Sequence, residues 1–273
     1  MTMTRQLSEQ VNDTIITALE RQMVLGRSDH GFPRNVWSRR RYGGMEAILL
    51  MLACDRQGFT SCWWGTKSEW ETLGGSISEG PGTEIVVGRG KSLHALTVYN
   101  LCQISGDFPV SRNERHMVDY ALVERIIAGT KADIRFTDEP VAEYYYPQED
   151  SDGDYIKMCR KERFERGPGG APSYYHSLFH ELAHMSEVPL DWYGPQDVRE
   201  LRAEIAADFL CTELAIPNYP YRCRRNLHKH LAVWIKRMRR SPGMIFKVAR
   251  DAAQAVDFIL GCSALAEPRH RAE

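Results

Sequence analysis

The pentapeptide His-Glu-Leu-Ala-His at residues 180–184 restricts the fold and chemistry of this chain more than any other part of its sequence. His180 and His184 are four residues apart, so on an α-helix they lie about 40° apart on one face and can bind the same metal ion. Glu181 lies about 100° round the helix from His180, close enough to move a proton on a water at that metal. The pattern predicts a helix that carries a zinc site typical of hydrolases.

An apolar stripe on the other side of this segment supports the helix. Tyr175, Leu178, Leu182 and Met185 recur at helical spacing, opposite the two histidines. Pro172 predicts the start of the helix. We therefore expect the helix to bury one side in the protein core and to present its His/Glu side to a ligand.

An acidic segment that follows predicts the third ligand. Glu200, Glu204 and Asp208 are spaced by four residues, so on a helix over 197–214 their carboxylates stack within about 40° of one another. Stacked carboxylates repel each other unless a positive charge compensates them, and a dication would do so; a solvated acidic face is the alternative. We assign Glu204 as the ligand and Asp208 as the carboxylate that orients a ligand histidine, with Glu200 as the alternative ligand. The order Ala-Glu-x-x-Ala-Asp at 203–208 resembles the Asn-Glu-x-x-Ser-Asp segment of thermolysin-like peptidases, the gluzincins.

Composition excludes several classes of protein. The 273 residues, 43% hydrophobic and 26% charged, are typical of a globular protein of one large or two modest domains. The longest apolar run, 47–54, is too short to cross a bilayer, and the first ten residues lack the apolar stretch of a secretory signal. The seven cysteines form no Cys-x-x-Cys pair, which favours reduced thiols, a cytoplasmic location and a metal site without cysteine.

The net charge of −1 conceals a strong segregation of charge. Residues 215–250 carry ten Lys/Arg and no acid, whereas 137–154 carry seven acids and no base. The basic stretch predicts solvated helix faces, with phosphate binding as the alternative. Near the N-terminus, arginines alternate with aromatic residues, which is typical of a groove for single-stranded nucleic acid. The candidate DNA-binding residues are Arg34, Trp37, Arg39, Arg40, Arg41 and Tyr42.

Periodicity and turn signals predict an α+β fold in two domains, 1–110 and 111–273. Strand 155–158 directly precedes the metal-binding helix, and we expect an extended substrate to pair with it as an added edge strand. Predicted helices cover about 7–24, 44–55, 66–74, 111–128, the stretch from 172, 197–214, 223–240 and 243–260, and predicted strands cover 83–87, 93–104, 133–136, 143–146 and 155–158.

These features together resemble ArdC-type antirestriction proteins of mobile elements and phages. The resemblance runs from about residue 7 to 261. Two departures stand out: Ser78-Glu-Gly-Pro81 replaces a more basic stretch of the family, and Glu187-Val188 replaces Gly-His. The matching segments are 41–44, 58–61, 73–75, 82–87, 97–100, 174–184 and 200–211.

The resemblance implies a small α+β domain that binds single-stranded DNA, followed by a zincin-like metallopeptidase domain. It implies Zn²⁺ held by His180, His184 and Glu204, with Mn²⁺ or Co²⁺ as alternatives, and Glu181 as the base that activates water for attack on a peptide. Tyr193 and His176 are candidates to stabilise the carbonyl oxygen. The expected partners are single-stranded DNA and a protein or peptide substrate, with no membrane.

Three functional hypotheses follow. The first is a DNA-associated metallopeptidase that acts on DNA-bound proteins. The second is a non-catalytic shield of single-stranded DNA in which the metal is structural. The third is a peptidase without a role on nucleic acid.

Overall fold

The computed structural model describes residues 3–78, 80–89, 92–107, 110, 117–147, 153–219 and 225–266. The chain divides into two compact units: Met1–Met117 with Leu231–Arg250, and Val118–His230 with Asp251–Glu273. Each unit contains helices and strands, so the predicted α+β architecture of two domains is confirmed. The sequence predicts two continuous domains, whereas residues 231–250 group with the first unit.

The first unit begins with a long amphipathic helix and continues into short strands. Val11, Ile15 and Leu19 recur every four residues and are buried, as the periodicity predicts. Its elements are α1 Met3–Glu20, β1 Arg34–Asn35, α2 Gly44–Gln57, β2 Trp63–Gly65, α3 Lys67–Thr72, β3 Gly75–Ile77, β4 Thr83–Arg89, β5 Ser92–Asn100 and β6 Ile104–Gly106.

Four strands of this unit form a sheet in the order β1-β2-β5-β4, and β3 pairs with β6. Strands β4 and β5 are antiparallel from Thr83 opposite Val98 to Arg89 opposite Ser92, at the positions of the predicted strands 83–87 and 93–104, although β5 ends at Asn100. A capping box of Thr66 and Glu69 opens α3, at the start of the helix predicted over 66–74. Trp70 of α3 is fully buried and donates from Nε1 to the Tyr99 carbonyl at 3.0 Å, so it fixes α3 to the sheet.

The second unit contains a three-stranded sheet and the helices of the predicted metal site. Helix α4, Tyr120–Gly129, begins with Asp119 as its N-cap, and the start predicted near residue 111 lies outside the described residues. The elements that follow β6 are α4 Tyr120–Gly129, β7 Ile134–Thr137, β8 Ala142–Tyr145, β9 Tyr155–Cys159, α5 Lys161–Glu165, α6 Gly170–Met185, α7 Gln196–Glu213, α8 Arg225–Arg240 and α9 Met244–Ala266.

The sheet of the second unit has the order β7-β9-β8, with β9 parallel to β7 and antiparallel to β8. The three predicted strands are confirmed, but the prediction that 155–158 forms an accessible edge is wrong. Strand β9 lies between two partners, so its backbone groups are used on both sides. The edge strand next to α6 is β8.

None of the helices within the described ranges combines the length and apolarity that crossing a bilayer requires.

Candidate functional site

The His-Glu-Leu-Ala-His segment lies in the last turns of α6, as predicted. Tyr175, Leu178 and Leu182 form its apolar side and are fully buried. His180, Glu181 and His184 are also buried, so the polar side of the helix faces other protein groups. The main partner of α6 is α7, the acidic helix.

Three histidines of α6 and three carboxylates of α7 face each other like the rungs of a ladder. Both helices repeat their polar residue every four positions, so each turn of α6 meets one turn of α7. In order along the pair, His184 lies near Glu200, His180 lies between Glu200 and Glu204, and His176 lies between Glu204 and Asp208. We call these six residues the His/carboxylate ladder.

The end of the ladder near residue 184 has the geometry of a metal site. The Nε2 atoms of His180 and His184 are 3.2 Å apart. Glu200 Oε2 lies 3.3 Å from His180 Nε2, and Glu200 Oε1 lies 3.8 Å from His184 Nε2. Tetrahedral ligands about 2.0–2.1 Å from one ion lie about 3.3 Å apart. These three side chains therefore fit a single transition-metal ion.

Glu204, the ligand predicted from sequence, faces a different atom. Its Oε2 lies 3.3 Å from His180 Nδ1, the ring nitrogen opposite to the one that faces Glu200 and His184. Asp208 Oδ1 lies 3.3 Å from His176 Nε2, and not beside His180. The structure thus groups Glu200, the alternative ligand, with His180 and His184, and groups Glu204 and Asp208 with His176.

Glu187 holds His184, and the sequence analysis did not identify this role. Its Oε1 lies 2.8 Å from His184 Nδ1, and its Oε2 accepts hydrogen bonds from the Tyr146 hydroxyl at 2.8 Å and Arg199 Nε at 2.9 Å. Glu187 is only 3% exposed. Glu187 lies in the turn after α6, and its spacing of three residues from His184 was the available signal.

His230 of α8 is a second residue that the sequence analysis missed. Its Nε2 lies 3.9 Å from Glu200 Oε2, so it stands beside the group of ligand-type residues. Burial lowers the pKa of His230, and the nearby Glu200 partly opposes that effect. Of the two predicted carbonyl-binding residues, Tyr193 is 79% exposed, whereas His176 is buried and lines the cavity described next.

Glu181 lies at a cavity of about 610 Å³ between the sheet and α6. Its Oε2 accepts a hydrogen bond from the backbone N–H of Tyr144 in β8 at 2.8 Å, so the edge strand orients the carboxylate. Burial raises the pKa of Glu181, while His180 and His184 oppose that rise. The cavity is lined by Pro140, Val141, Ala142, Cys159, Arg163, Phe164, Gly167, Pro168, Gly169, Ser173, His176, Ser177, His180, Glu181, Glu204 and Tyr219.

The electrostatics of the ladder favour a cation. Burial opposes a charge on His180, but Glu200 and Glu204 outweigh it and raise the pKa of the imidazole to about 10. Burial likewise opposes a charge on Glu200, yet His180 and the other histidines lower its pKa to about 2. The two shifts are reciprocal, because the carboxylates of α7 favour the charged form of His180 and the histidines favour the charged form of Glu200.

The predicted DNA-binding residues form a tight loop before α2. Arg34 and Arg41 face each other in an antiparallel bridge, and the Asn35 side chain accepts from the N–H groups of Trp37 at 3.1 Å and Ser38 at 2.8 Å. This closure places Trp37, 56% exposed, at the tip of the loop.

The other residues of this loop divide into exposed and supporting groups. Arg39 and Arg40 are exposed, and the Arg39 guanidinium lies 4.9 Å from the centre of the Trp63 ring. Arg34, Arg41 and Tyr42 are half-buried. The Tyr42 hydroxyl accepts from Asn35 Nδ2 at 3.2 Å, and burial raises its pKa to about 12, so it supports the loop as a neutral group.

Two family models match the chain, one over each half. The model for the N-terminal domain of the anti-restriction factor ArdC matches residues 5–101, and that for a zincin-like metallopeptidase matches residues 121–251. Crystal structures of the antirestriction ArdC protein from the R388 plasmid, metal-free and Mn(II)-bound, align with TM-scores of 0.76 and 0.75 at 27% and 28% identity. Each covers 96% of this chain and 99% of the R388 chain. Residues 5–101 therefore belong to the ArdC N-terminal domain family and residues 121–251 to the zincin-like metallopeptidases, and nearly the whole chain is similar to the R388 antirestriction protein.

Two further relatives differ in how much of their own length this chain covers. A DNA primase TraC of Escherichia coli is 28% identical over 84% of this chain, which spans only 24% of the primase. The protein y4eC of Sinorhizobium fredii is 24% identical over 92% of this chain and 90% of its own length. The ArdC-like region is therefore found both as a chain of similar length and as part of a much longer protein.

We expect Glu187→Gln to lower the free energy of unfolding by about 3 kcal/mol, because it removes a buried negative charge from between His184 and Arg199. Chemical denaturation of the metal-free protein measures this. Glu143→Gln, at an exposed carboxylate hydrogen-bonded to the Tyr145 hydroxyl, is the matched control and should change stability little. A loss below about 1 kcal/mol for Glu187→Gln would show that its contacts do not stabilise the site.

Proposed function

We propose that this chain is an antirestriction protein that binds single-stranded DNA through its first unit and a divalent metal ion between α6 and α7. The observation that carries the metal assignment is the convergence of His180, His184 and Glu200, of which His180 lines the cavity together with Glu181. The similarity to the R388 antirestriction protein supports the antirestriction role. Such a protein would act in the cytoplasm, where incoming DNA meets restriction enzymes.

We assign Glu200, in place of Glu204, as the third ligand. Glu200 is the carboxylate that approaches Nε2 of both histidines, whereas Glu204 approaches His180 Nδ1. Glu204 and Glu187 then serve as the groups that orient His180 and His184 from behind, as carboxylates commonly do for metal-binding histidines. Both ligand rings would thus be fixed before the ion arrives.

Two imidazoles and one carboxylate suit Zn²⁺, and Mn²⁺ or Co²⁺ can use the same ligands. The Mn(II)-bound structure of the R388 relative supports a divalent cation in this family. A cation of this kind supplies Lewis acidity, which makes water nucleophilic near neutral pH.

Glu181 is placed to accept the proton of the attacking water. It lines the cavity, and the Tyr144 N–H fixes one of its oxygens while the carboxylate stays beside both histidines. Burial raises its pKa above that of an exposed glutamate, which makes it a stronger base. Because β8 is the edge of the sheet, an extended peptide of a protein substrate could pair with β8 and reach Glu181.

The loop around Trp37 is proposed as the contact for single-stranded DNA. Its exposed indole offers a surface on which a base can stack, and Arg39 and Arg40 beside it offer charge for the phosphates. The location of this loop within residues 5–101, the part that matches the ArdC N-terminal domain, supports the assignment.

We expect Glu200→Gln to remove one bound equivalent of Zn²⁺ or Mn²⁺ per chain, because the amide is a much weaker ligand than the carboxylate. Competition against a chelator of known affinity measures the loss, and Glu162→Gln on the exposed surface is the control. If Glu200→Gln binds the metal as the wild type does, Glu204 and not Glu200 is the third ligand.

Glu181→Gln should abolish hydrolysis of a protein or peptide substrate while metal binding stays within about threefold. The amide keeps the shape of the side chain but cannot accept a proton. Cleavage in vitro and protection of DNA from restriction are measured on the same variant. Retained cleavage contradicts the role of Glu181, and lost cleavage with intact protection identifies the non-catalytic shield.

Trp37→Ala and Arg40→Ala should weaken binding to a single-stranded oligonucleotide in different ways. We expect Trp37→Ala to cost about 1–3 kcal/mol with an unchanged salt dependence. Arg40→Ala should reduce the slope of log K against log salt by about 0.7. Fluorescence anisotropy at several salt concentrations measures both, with Arg5→Ala on α1 as the control. The loop is not the contact if all three variants bind alike.

A further inference from the structure

A second group of ligand-type side chains lies one turn further along the same ladder. His176, Glu204 and Asp208 each offer a ligand atom, and these atoms lie within 4.8 Å of one another. All three residues are at least 95% buried: His176 is 5%, Glu204 4% and Asp208 1% exposed. The group is distinct from His180, His184 and Glu200, which the proposed function uses.

The distances within this group match those of ligands around an ion. His176 Nε2 lies 3.3 Å from Asp208 Oδ1 and 3.7 Å from Glu204 Oε1. Ligands about 2.0–2.2 Å from a tetrahedral ion lie about 3.3–3.6 Å apart.

The cavity gives this group a path to solvent. His176 and Glu204 both line the cavity of about 610 Å³, together with the hydroxyl-bearing residues Ser173 and Ser177. An ion can therefore enter without unfolding the helix pair. Because His176 and Glu204 border open space, a further ligand such as water could complete the coordination from the cavity side.

Burial of two carboxylates one turn apart on α7 also favours a cation. Each buried charge costs several kcal/mol unless an opposite charge compensates it. Glu204 points its second oxygen at His180 Nδ1, so it lies between the two groups of ligands. A dication at His176 would offset the charge of Glu204 and Asp208 together.

We propose that His176, Glu204 and Asp208 bind a second divalent transition-metal ion, adjacent to the ion at His180, His184 and Glu200. One imidazole with two carboxylates suits Zn²⁺ or Mn²⁺, whereas Ca²⁺ prefers a shell of oxygens alone. Glu204 links the two sites, because one oxygen serves the second ion and the other orients a ligand of the first. This proposal does not depend on peptidase activity.

The test is the stoichiometry of metal binding to the full chain. Purified protein is stripped of metal, titrated with Zn²⁺ or Mn²⁺ by calorimetry, and assayed for bound metal after gel filtration. We expect two equivalents in the wild type and one in Asp208→Asn, with the affinity of the remaining site changed less than threefold. Glu200→Gln should also bind one equivalent, and the double variant none.

Saturation of the wild type at one equivalent overturns the proposal, and it does so even if Asp208→Asn fails to fold. In that case His176, Glu204 and Asp208 contact one another without a metal ion. If the single equivalent disappears in Glu200→Gln, the proposed function stands while the second site is rejected. If Glu200→Gln keeps that equivalent and Asp208→Asn loses it, the first assignment fails and the second holds.

Discussion

The packing of α6 against α7 is the interaction on which the rest of the second unit depends. Four residues of helix rise about 6 Å, so histidines and carboxylates that both repeat every four positions can meet turn by turn along antiparallel helices. Arg202 fixes the register of this match. It is fully buried, donates to the Ala183 carbonyl at 2.9 Å and Ser186 Oγ at 3.0 Å, and lies 4.7 Å from the Trp192 ring. These contacts hold the end of α6 beside the start of α7, which places Glu200 opposite His184.

This register explains what sequence could and could not predict about the site. The four-residue spacing predicted the helix, its buried stripe and the acidic face, because these depend on one helix at a time. The spacing does not determine whether Glu200 or Glu204 is the third metal ligand, since the two residues lie at nearly the same angle on α7. The choice depends on how far α7 is shifted along α6, and Arg202 together with the turn over 186–195 sets that shift. Glu187 was overlooked for a similar reason, because its role appears only when Arg199 and Tyr146 are brought beside it.

The first unit shows the same division between local and long-range information. Helix α3 with its capping box and the neighbouring strands β4 and β5 depend on short stretches of sequence, and the helix and both strands were predicted. Residues 231–250 group with this unit through contacts between residues far apart in sequence, and no sequence pattern marks them. Asn12 Nδ2 donates to the Met238 carbonyl at 3.3 Å, and Arg239 Nη2 donates to Glu20 at 2.6 Å. Part of the basic stretch that the sequence places in the C-terminal half therefore belongs to the unit that carries the Trp37 loop.

The central position of β9 was not predictable from its own residues. Ile156 and Met158 are buried on one face while Tyr155 and Lys157 on the other are half-buried, and this alternation does not distinguish a central strand from an edge strand. Strand β8 likewise alternates exposed and buried residues, with Glu143 exposed and Tyr144 buried. This order has a chemical consequence, because an edge strand keeps backbone groups that its sheet does not use. The Tyr144 N–H is such a group, and it fixes Glu181 beside the two histidines. The sheet thus positions the base through its backbone, while the helix pair positions the ligands through side chains.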